Sequence, residues 1–204
     1  MINLKKFSTL VTPLSFTEEE LMARIKTKVR WEIKQATKQG VSFHVKTQVS
    51  EKELGYYINV YNKFALKKNL EKISKASARA ALKKQCLCIT IAQHDHKPIV
   101  IHFYLLNKNE RARLQLSFHD ISLSEEMDKL RGNANRFLHW SDIIYFKKNN
   151  FQVYDWGGVD LDGENFIAKF KMSFGGDIEY SYDYAIEKGL YKIYKKARAC
   201  FSFL

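Results

Sequence analysis

Residues 86–106, CLCITIAQHDHKPIVIHFYLL, place two apolar, β-branched runs on either side of the polar turn HDHKP. Such a segment has few folded alternatives to an antiparallel hairpin. A third strand, from about Arg111 to Phe118, continues it as a meander. A chain committed to a central antiparallel sheet must cover its apolar faces, so the flanking segments decide the architecture.

Those flanks read largely as helices. Thr17-Glu18-Glu19-Glu20 has the form of a capping box and opens a helical pattern that runs to Gly40, with Leu21, Ile25, Val29 and Ile33 on one stripe. Val41 to Val45 alternates like a strand, and Ser50-Glu51-Lys52-Glu53 caps a second helix with Leu54, Tyr57, Ile58, Tyr61 and Phe64 on its apolar face. Ser77 to Lys84 reads as a short helix. After the meander, the pattern is helical from about Gly132 to Asn149, extended over Phe151 to Asp155 and over Ile178 to Tyr184, and helical and basic from Ala185 to Cys200. The fold class expected is mixed α/β (α+β), with helices around a central, mostly antiparallel sheet.

At 204 residues and 46% hydrophobic composition the chain can close one sizeable core, so a single domain over residues 1–204 is expected. Two prolines and the lack of low-complexity tracts or internal repeats leave no obvious linker. No run approaches the roughly 20 apolar residues that span a bilayer, and MINLKKFSTLVTPLSF lacks the apolar core of a signal peptide, which predicts a cytoplasmic location. Cys86, Cys88 and Cys200 have no partners at zinc spacing and read as reduced core thiols, the first two alternating onto one strand face. His94-Asp95-His96 lacks a third ligand, so no metal is expected.

The formal charge of +12 draws polyanions: nucleotide phosphates, tRNA or anionic headgroups. Neither basic run, Arg24 to Lys38 or Lys192 to Arg198, has the form of a DNA-reading motif, so DNA is not an expected partner.

Three constellations can carry chemistry. In KLRGNANRFLHW, Lys129 to Trp140, a glycine between a strand and a helix would expose free N–H groups at a helix N-terminus, where a pyrophosphate can rest, with Arg131 and Arg136 adding to the field. The alternative is an ordinary turn into a helix. In YDWGGVDLDGENFIAKFKMSFGG, Tyr154 to Gly176, Asp155 at a strand end precedes Gly157-Gly158, which admit close approach of a ligand; alone, Asp155 could equally be a turn residue. Lys171 between Phe170 and Phe174 can bury its stem and aim its ammonium at a developing oxyanion, or merely snorkel from an amphipathic helix. Ser117, His119 and Asp120 supply the residue types of a hydrolase triad but no nucleophile-elbow glycines.

Four segments, VRWEIKQATKQGVSF with Arg30, YYINVYNKFALKKNL, RGNANRFLHWSDIIYFKKNNFQVYDWGGVD and IAKFKMSFGG, together resemble the GNAT-type acyltransferases of the Fem family, the peptidoglycan-bridge aminoacyl transferases and their acetyltransferase relatives. The resemblance runs from about residue 28 to 176 and rests mainly on the last two. It implies a GNAT-like mixed, mostly antiparallel sheet with helices on both faces, and transfer of an acyl group to an amine. It also implies a donor site on Lys129, Arg131, Gly132, Asn133, Ala134, Asn135 and Arg136, with Lys129 standing where the family's phosphate turn carries Arg or Gln. Catalytic roles fall to Lys171 for the oxyanion and Asp155 for orienting or deprotonating the amine, with His139 and Tyr154 as substitutes. Arg30, Trp156, Gly157, Gly158, Phe170 and Phe174 would contact substrate.

Fem-type enzymes of the peptidoglycan pathway generally have two such domains, and this chain has room for one. The reading that follows is an N-acyltransferase using acyl-coenzyme A, acting in the cytoplasm on an amino sugar or other cell-envelope precursor. The partner expected is an amine acceptor that is a small molecule or is carried on a lipid or nucleotide, which is compatible with peripheral contact with a membrane. The alternatives are a Fem-type transferase that takes its donor from aminoacyl-tRNA, and a non-catalytic binding module of the same fold.

Overall fold

The structure, a computed structural model, describes the backbone of residues 2–107, 110–161, 165–188 and 191–197. In chain order the elements are β1 (Ile2–Pro13), α1 (Glu18–Arg24), α2 (Thr27–Lys38), β2 (Ser42–Lys46), α3 (Glu51–Lys67), α4 (Lys75–Lys83), β3 (Leu87–His94), β4 (Lys97–Asn107), β5 (Arg111–Phe118), α5 (Glu125–Lys148), β6 (Val153–Gly158), α6 (Phe166–Met172), β7 (Asp177–Lys188) and β8 (Tyr191–Ala197). The strands form one sheet in the order β2-β3-β4-β5-β6-β1-β7-β8.

The meander expected from the sequence is β3-β4-β5. Its first turn is Asp95-His96, both at positive φ (47° and 62°), the mirror-type turn whose twist suits a two-residue hairpin. Every described strand pair is antiparallel except β5–β6. A parallel pair needs a crossover, and α5, at about 1.5 Å per residue, spans ~36 Å to supply it.

Helices cover both faces. On one, Leu54, Ile58 and Ala65 of α3 pack with Leu87, Ile89, Ile91, Ile101 and Phe103 of the sheet. On the other, Leu21, Val29 and Ile33 of α1 and α2, with Ile143 and Phe146 of α5, close over Cys88, Tyr104, Ala112, Tyr154 and Trp156. Alternation along β3 divides its residues between these two cores. Among the described residues no helix is long and apolar enough to cross a membrane.

Four expectations are corrected. The helix read from Thr17 to Gly40 is two helices, because Ile25 is extended (φ −77°, ψ 134°) and the Lys26 N–H donates to the Ser173 carbonyl at the end of α6. The helix read from Gly132 begins at the Ser124 N-cap, whose hydroxyl accepts from the Met127 N–H. The helix read from Ala185 is strand: β7 runs on to Lys188 and β8 pairs with it in register from Tyr182↔Ala197 to Lys188↔Tyr191, while Cys200 lies outside the described residues. Cys86 precedes β3 and turns its thiol to the Ala81 carbonyl, so it does not share a strand face with the buried Cys88, whose thiol burial pushes up to about 12.

Candidate active site

The parallel strands β5 and β6 share a ladder over three residue pairs, Arg111↔Val153, Ala112↔Tyr154 and Arg113↔Asp155, and then part. Gly157, at φ +74°, lies where they separate, and a Cβ there would stand 3.1 Å from the Leu114 carbonyl oxygen. Beyond this neck opens a cavity of about 510 Å³ lined in part by Asn135 and His139 of α5, Trp156 of β6, and Ile167, Phe170 and Lys171 of α6. Asn165 caps α6 by accepting from the Ile167 N–H, and Phe166 and Ile167 are exposed beside the opening.

Lys171 is the cation of this cleft. Its Nζ donates to the Gly158 carbonyl at 2.7 Å, which leaves two N–H groups for a ligand. Burial lowers its pKa to about 8; Arg113 pushes the same way and Asp155 opposes them. The floor of the cleft is aromatic: Trp156 donates its indole N–H to Thr12 Oγ1 at 3.0 Å, and Phe174 packs under it at 4.8 Å between ring centroids. Arg136 lies 5.3 Å from the centre of the Phe170 ring.

His139 is 2% exposed yet lines the cavity. Burial, and then His102, Lys171 and Arg136, push its imidazole well below the ordinary histidine range, so it is neutral near pH 7. Its Nδ1 is 2.8 Å from Tyr154 Oη, which is 2.8 Å from Tyr104 Oη; the Tyr104 hydroxyl donates to Asp142 Oδ2 at 2.6 Å. His102 Nδ1 lies 2.7 Å from the same carboxylate oxygen, and its Nε2 lies 3.0 Å from Asn135 Oδ1. His102, His139 and Asp142 thus bring one potential ligand atom each within 4.8 Å of one another. His139 Nδ1, His102 Nδ1 and Asp142 Oδ2 are already engaged with one another or with the tyrosine hydroxyls, and this arrangement serves proton placement better than coordination of an ion.

Several residues singled out in the sequence stand elsewhere. Asp155 shares β6 with Tyr154 and Trp156 but points to the opposite face of the sheet. It is fully buried there: Oδ1 accepts from Thr9 Oγ1 (2.6 Å) and the Gly157 N–H (2.8 Å), and Oδ2 accepts from Arg111 (3.0 Å). These contacts fix β1, β5 and β6 to one another and hold Asp155 out of the cavity lining, where the expected role of orienting or deprotonating an amine would place it. Tyr154 is in the network beneath the cleft rather than in its lining, and Phe174 is core. Arg30 sits on α2 with its guanidinium donating to Thr27, away from the cavity.

The expected phosphate turn is also corrected. Lys129, Arg131, Gly132, Asn133, Ala134, Asn135 and Arg136 all lie inside α5, where the backbone N–H groups are spent on the helix. Their cations are paired: Lys129 with Glu125 (2.8 Å), Arg131 with Asp128 (2.6 Å) and Arg136 with Glu32 (2.6 Å). The true N-terminus of α5 carries Glu125, Glu126 and Asp128 in its first turn, a field that disfavours a pyrophosphate. Of this group Asn135 alone lines the cavity.

Ser117, His119 and Asp120 form no triad. The serine donates to Asn135 at 3.4 Å, His119 meets the Arg131 guanidinium, and Asp120 accepts from the Ser122 backbone and hydroxyl. His94 lies beside Asp95 at the hairpin turn, 3.4 Å apart.

Sequence reasoning missed Tyr104, His102 and Asp142. One signal was available: His102 interrupts the apolar run IVIHFYLL, and an ionisable residue at a buried strand position needs a partner. That partner, Asp142, is 40 residues away on α5.

No family model and no curated protein matches the sequence. Solved structures do match in shape: FemX, at TM-score 0.65 and 10% identity over 84% of this chain and 59% of that one; L-PGS from Bacillus licheniformis, at 0.61 and 13% over 89% and 60%; and the C-terminal DUF2156 domain of a protein described as a lysylphosphatidylglycerol synthetase from Agrobacterium fabrum, at 0.60 and 11% over 89% and 60%. The chain therefore spans about three-fifths of the length of these structures, and at such identities the likeness is one of fold. That fold is GNAT-like: a mixed, mostly antiparallel sheet, helices on both faces, and a cleft where its parallel strands part.

Proposed function

We propose that this chain is an acyltransferase that moves an aminoacyl group from an ester donor carried on tRNA to a primary amine bound in the β5/β6 cleft. The observation that carries the reading is Lys171, a half-buried ammonium held against the Gly158 carbonyl with two N–H groups left to point into the cleft. Attack of a neutral amine on an acyl carbonyl builds negative charge on the carbonyl oxygen, and a fixed cation in a partly dry site stabilises that charge far more than water does. His139, neutral and lining the same cavity, is the group within it suited to take the proton that the amine sheds.

The donor assignment rests on charge placement. Acyl-coenzyme A brings a pyrophosphate, and the segment expected to cradle one is helix interior, while the free end of α5 is acidic. A tRNA donor instead needs a diffuse basic surface, which +12 supplies. The name lysylphosphatidylglycerol synthetase, carried by one structure of the same fold, describes for that protein the attachment of a lysyl group to a lipid, an aminoacyl group rather than an acetyl group. For the acceptor, the proposal is an amino sugar or another amine of a cell-envelope precursor, free or carried on a lipid or nucleotide.

The test supplies purified protein with mixed aminoacyl-tRNA or mixed acyl-coenzyme A, and with amino-sugar and aminolipid acceptors. Transfer from aminoacyl-tRNA that stops on ribonuclease treatment is expected. Ribonuclease-resistant transfer from acyl-coenzyme A would overturn the donor assignment, and absence of transfer from either would overturn the enzyme reading.

A further inference from the structure

Beneath the cleft the hydrogen bonds from His139 form a chain whose direction is fixed at one end. Asp142 is fully buried, and as a carboxylate it can only accept. The Tyr104 hydroxyl, 2.6 Å from Asp142 Oδ2, must therefore donate there. With its proton used, Tyr104 Oη can only accept from the Tyr154 hydroxyl, 2.8 Å away. Tyr154 has in turn spent its proton, so at 2.8 Å it accepts from His139, and the proton of that neutral imidazole is on Nδ1. The nitrogen left for the cleft is Nε2, with its lone pair free.

We propose that Tyr154, Tyr104 and Asp142 form a buried one-proton store behind His139, which sets His139 as a base before the amine attacks and returns the proton when the donor ester breaks. The proposal rests on the acyl-transfer reading above and deepens it. In the first step the C–N bond forms and the amine proton goes to His139 Nε2. The Nδ1 proton moves to Tyr154, the Tyr154 proton to Tyr104, and the Tyr104 proton to Asp142, which becomes a carboxylic acid. His139 ends neutral, in its other tautomer, with Nε2–H facing the cleft. In the second step the C–O bond breaks, the departing oxygen takes that Nε2 proton, and every shift reverses. No proton is gained or lost over the cycle.

Two features fit a store rather than a purely structural bond set. Asp142 Oδ1 has no hydrogen-bond partner although it is buried, so the carboxyl group is under-satisfied and has room to hold a proton. His102 closes the other side of the same oxygen, with Nδ1 2.7 Å from Oδ2. The groups facing His139 from packed elements are Tyr154 and Trp156 of β6, His102 of β4, Arg136 of its own helix, and Phe170, Lys171 and Phe174 of the α6 region. Of these, Tyr154 alone hydrogen-bonds the His139 ring.

Tyr104, Tyr154 and Asp142 act through His139 and are positioning residues. The experiment is nitrogen-15 NMR of histidine-labelled full-length protein, which reads the tautomer of His139 directly, with Tyr104→Phe as the comparison. Wild type is expected to show Nδ1–H. In Tyr104→Phe, Tyr154 keeps His139 Nδ1 as its one acceptor, so the tautomer is expected to switch to Nε2–H. Wild type with Nε2–H, or the same tautomer in both proteins, overturns the proposal. If Tyr104→Phe does not fold, the wild-type spectrum still decides. Where wild type turns over, Tyr104→Phe is expected to lose roughly a hundredfold in kcat, within the range for general-base catalysis, with little change in KM; an unchanged kcat beside a switched tautomer also overturns it. The tautomer needs no donor or acceptor, so failure of the acyl-transfer reading is seen separately, as absent turnover beside an Nδ1–H signal.

Discussion

Lys171 Nζ lies 2.7 Å from the carbonyl oxygen of Gly158, the residue after the glycine at which β5 and β6 separate. One ammonium is thereby tied to the strand that shapes the cleft while most of its donors stay available. Its pKa of about 8, lowered chiefly by burial, gives a folded value below the unfolded 10.5.

The sign of that shift makes two opposite predictions. The unfolded state holds the Lys171 proton more tightly, so wild type should gain stability relative to Lys171→Met as pH rises from about 8 towards 10.5. Transfer should instead decline over the start of that window, as the ammonium is lost. Urea unfolding and initial rates, measured across pH on both proteins, check the pair.

Asp155 is a structural pin, so its loss should appear in stability. Asp155→Ala leaves Arg111 with Glu179 alone, strips the Gly157 N–H of its acceptor and leaves the Thr9 hydroxyl only the Gly157 carbonyl. A loss of about 3–5 kcal/mol in denaturant unfolding is expected, the range for breaking a buried ion pair from one side. Thr9→Val should lose about 1 kcal/mol, the range for one hydrogen bond. An Asp155 variant of unchanged stability and abolished turnover would restore it as a base.

Gly176 at φ +119° lies against β1. A Cβ would stand 2.6 Å from the Val11 carbonyl oxygen, which is sheet backbone and cannot swing aside. Gly176→Ala should therefore lower stability by more than the ~1–3 kcal/mol of backbone strain alone, seen as a fall in Tm with turnover reduced in proportion to the folded fraction.

His119 should contribute to acid sensitivity. Burial, then the Arg131 guanidinium, lowers its pKa to about 4, below the unfolded 6.5. The unfolded chain thus takes up the His119 proton first, and stability falls as pH drops from about 6.5 towards 4. His119→Gln, with no proton to take up, should flatten the slope of stability against pH across that window.

The parts of the fold legible in sequence were those with local causes. The hairpin and β5 followed from alternation, and both capping boxes, Thr17 with Glu20 and Ser50 with Glu53, are formed as read. The misreadings share a tertiary cause. The break after Arg24 carries no Pro or Gly and is stabilised by Ser173, far along the chain. Gly132 looked like a helix boundary, yet a glycine inside α5 costs only ~1 kcal/mol relative to alanine, which 24 residues of helix absorb. β8, with the helix-compatible sequence YKIYKKA, is strand because β7 offers it an edge. In the site, Lys171, Trp156, Phe170 and the double glycine were legible because they cluster in sequence. Asp155 was misplaced by one step of strand alternation, and Asp142 with His102 was invisible because each lies in a different element and neither belongs to a motif.

The central claim, that the cleft at Lys171 is where an acyl group changes hands, is tested most directly by a single-turnover assay with labelled aminoacyl-tRNA and the amine panel, comparing wild type with Lys171→Met. The account predicts transfer by wild type and a loss of about 10²–10³-fold in the variant, the range for removing one oxyanion donor, with folding and tRNA binding retained. Equal rates from the two proteins would contradict it.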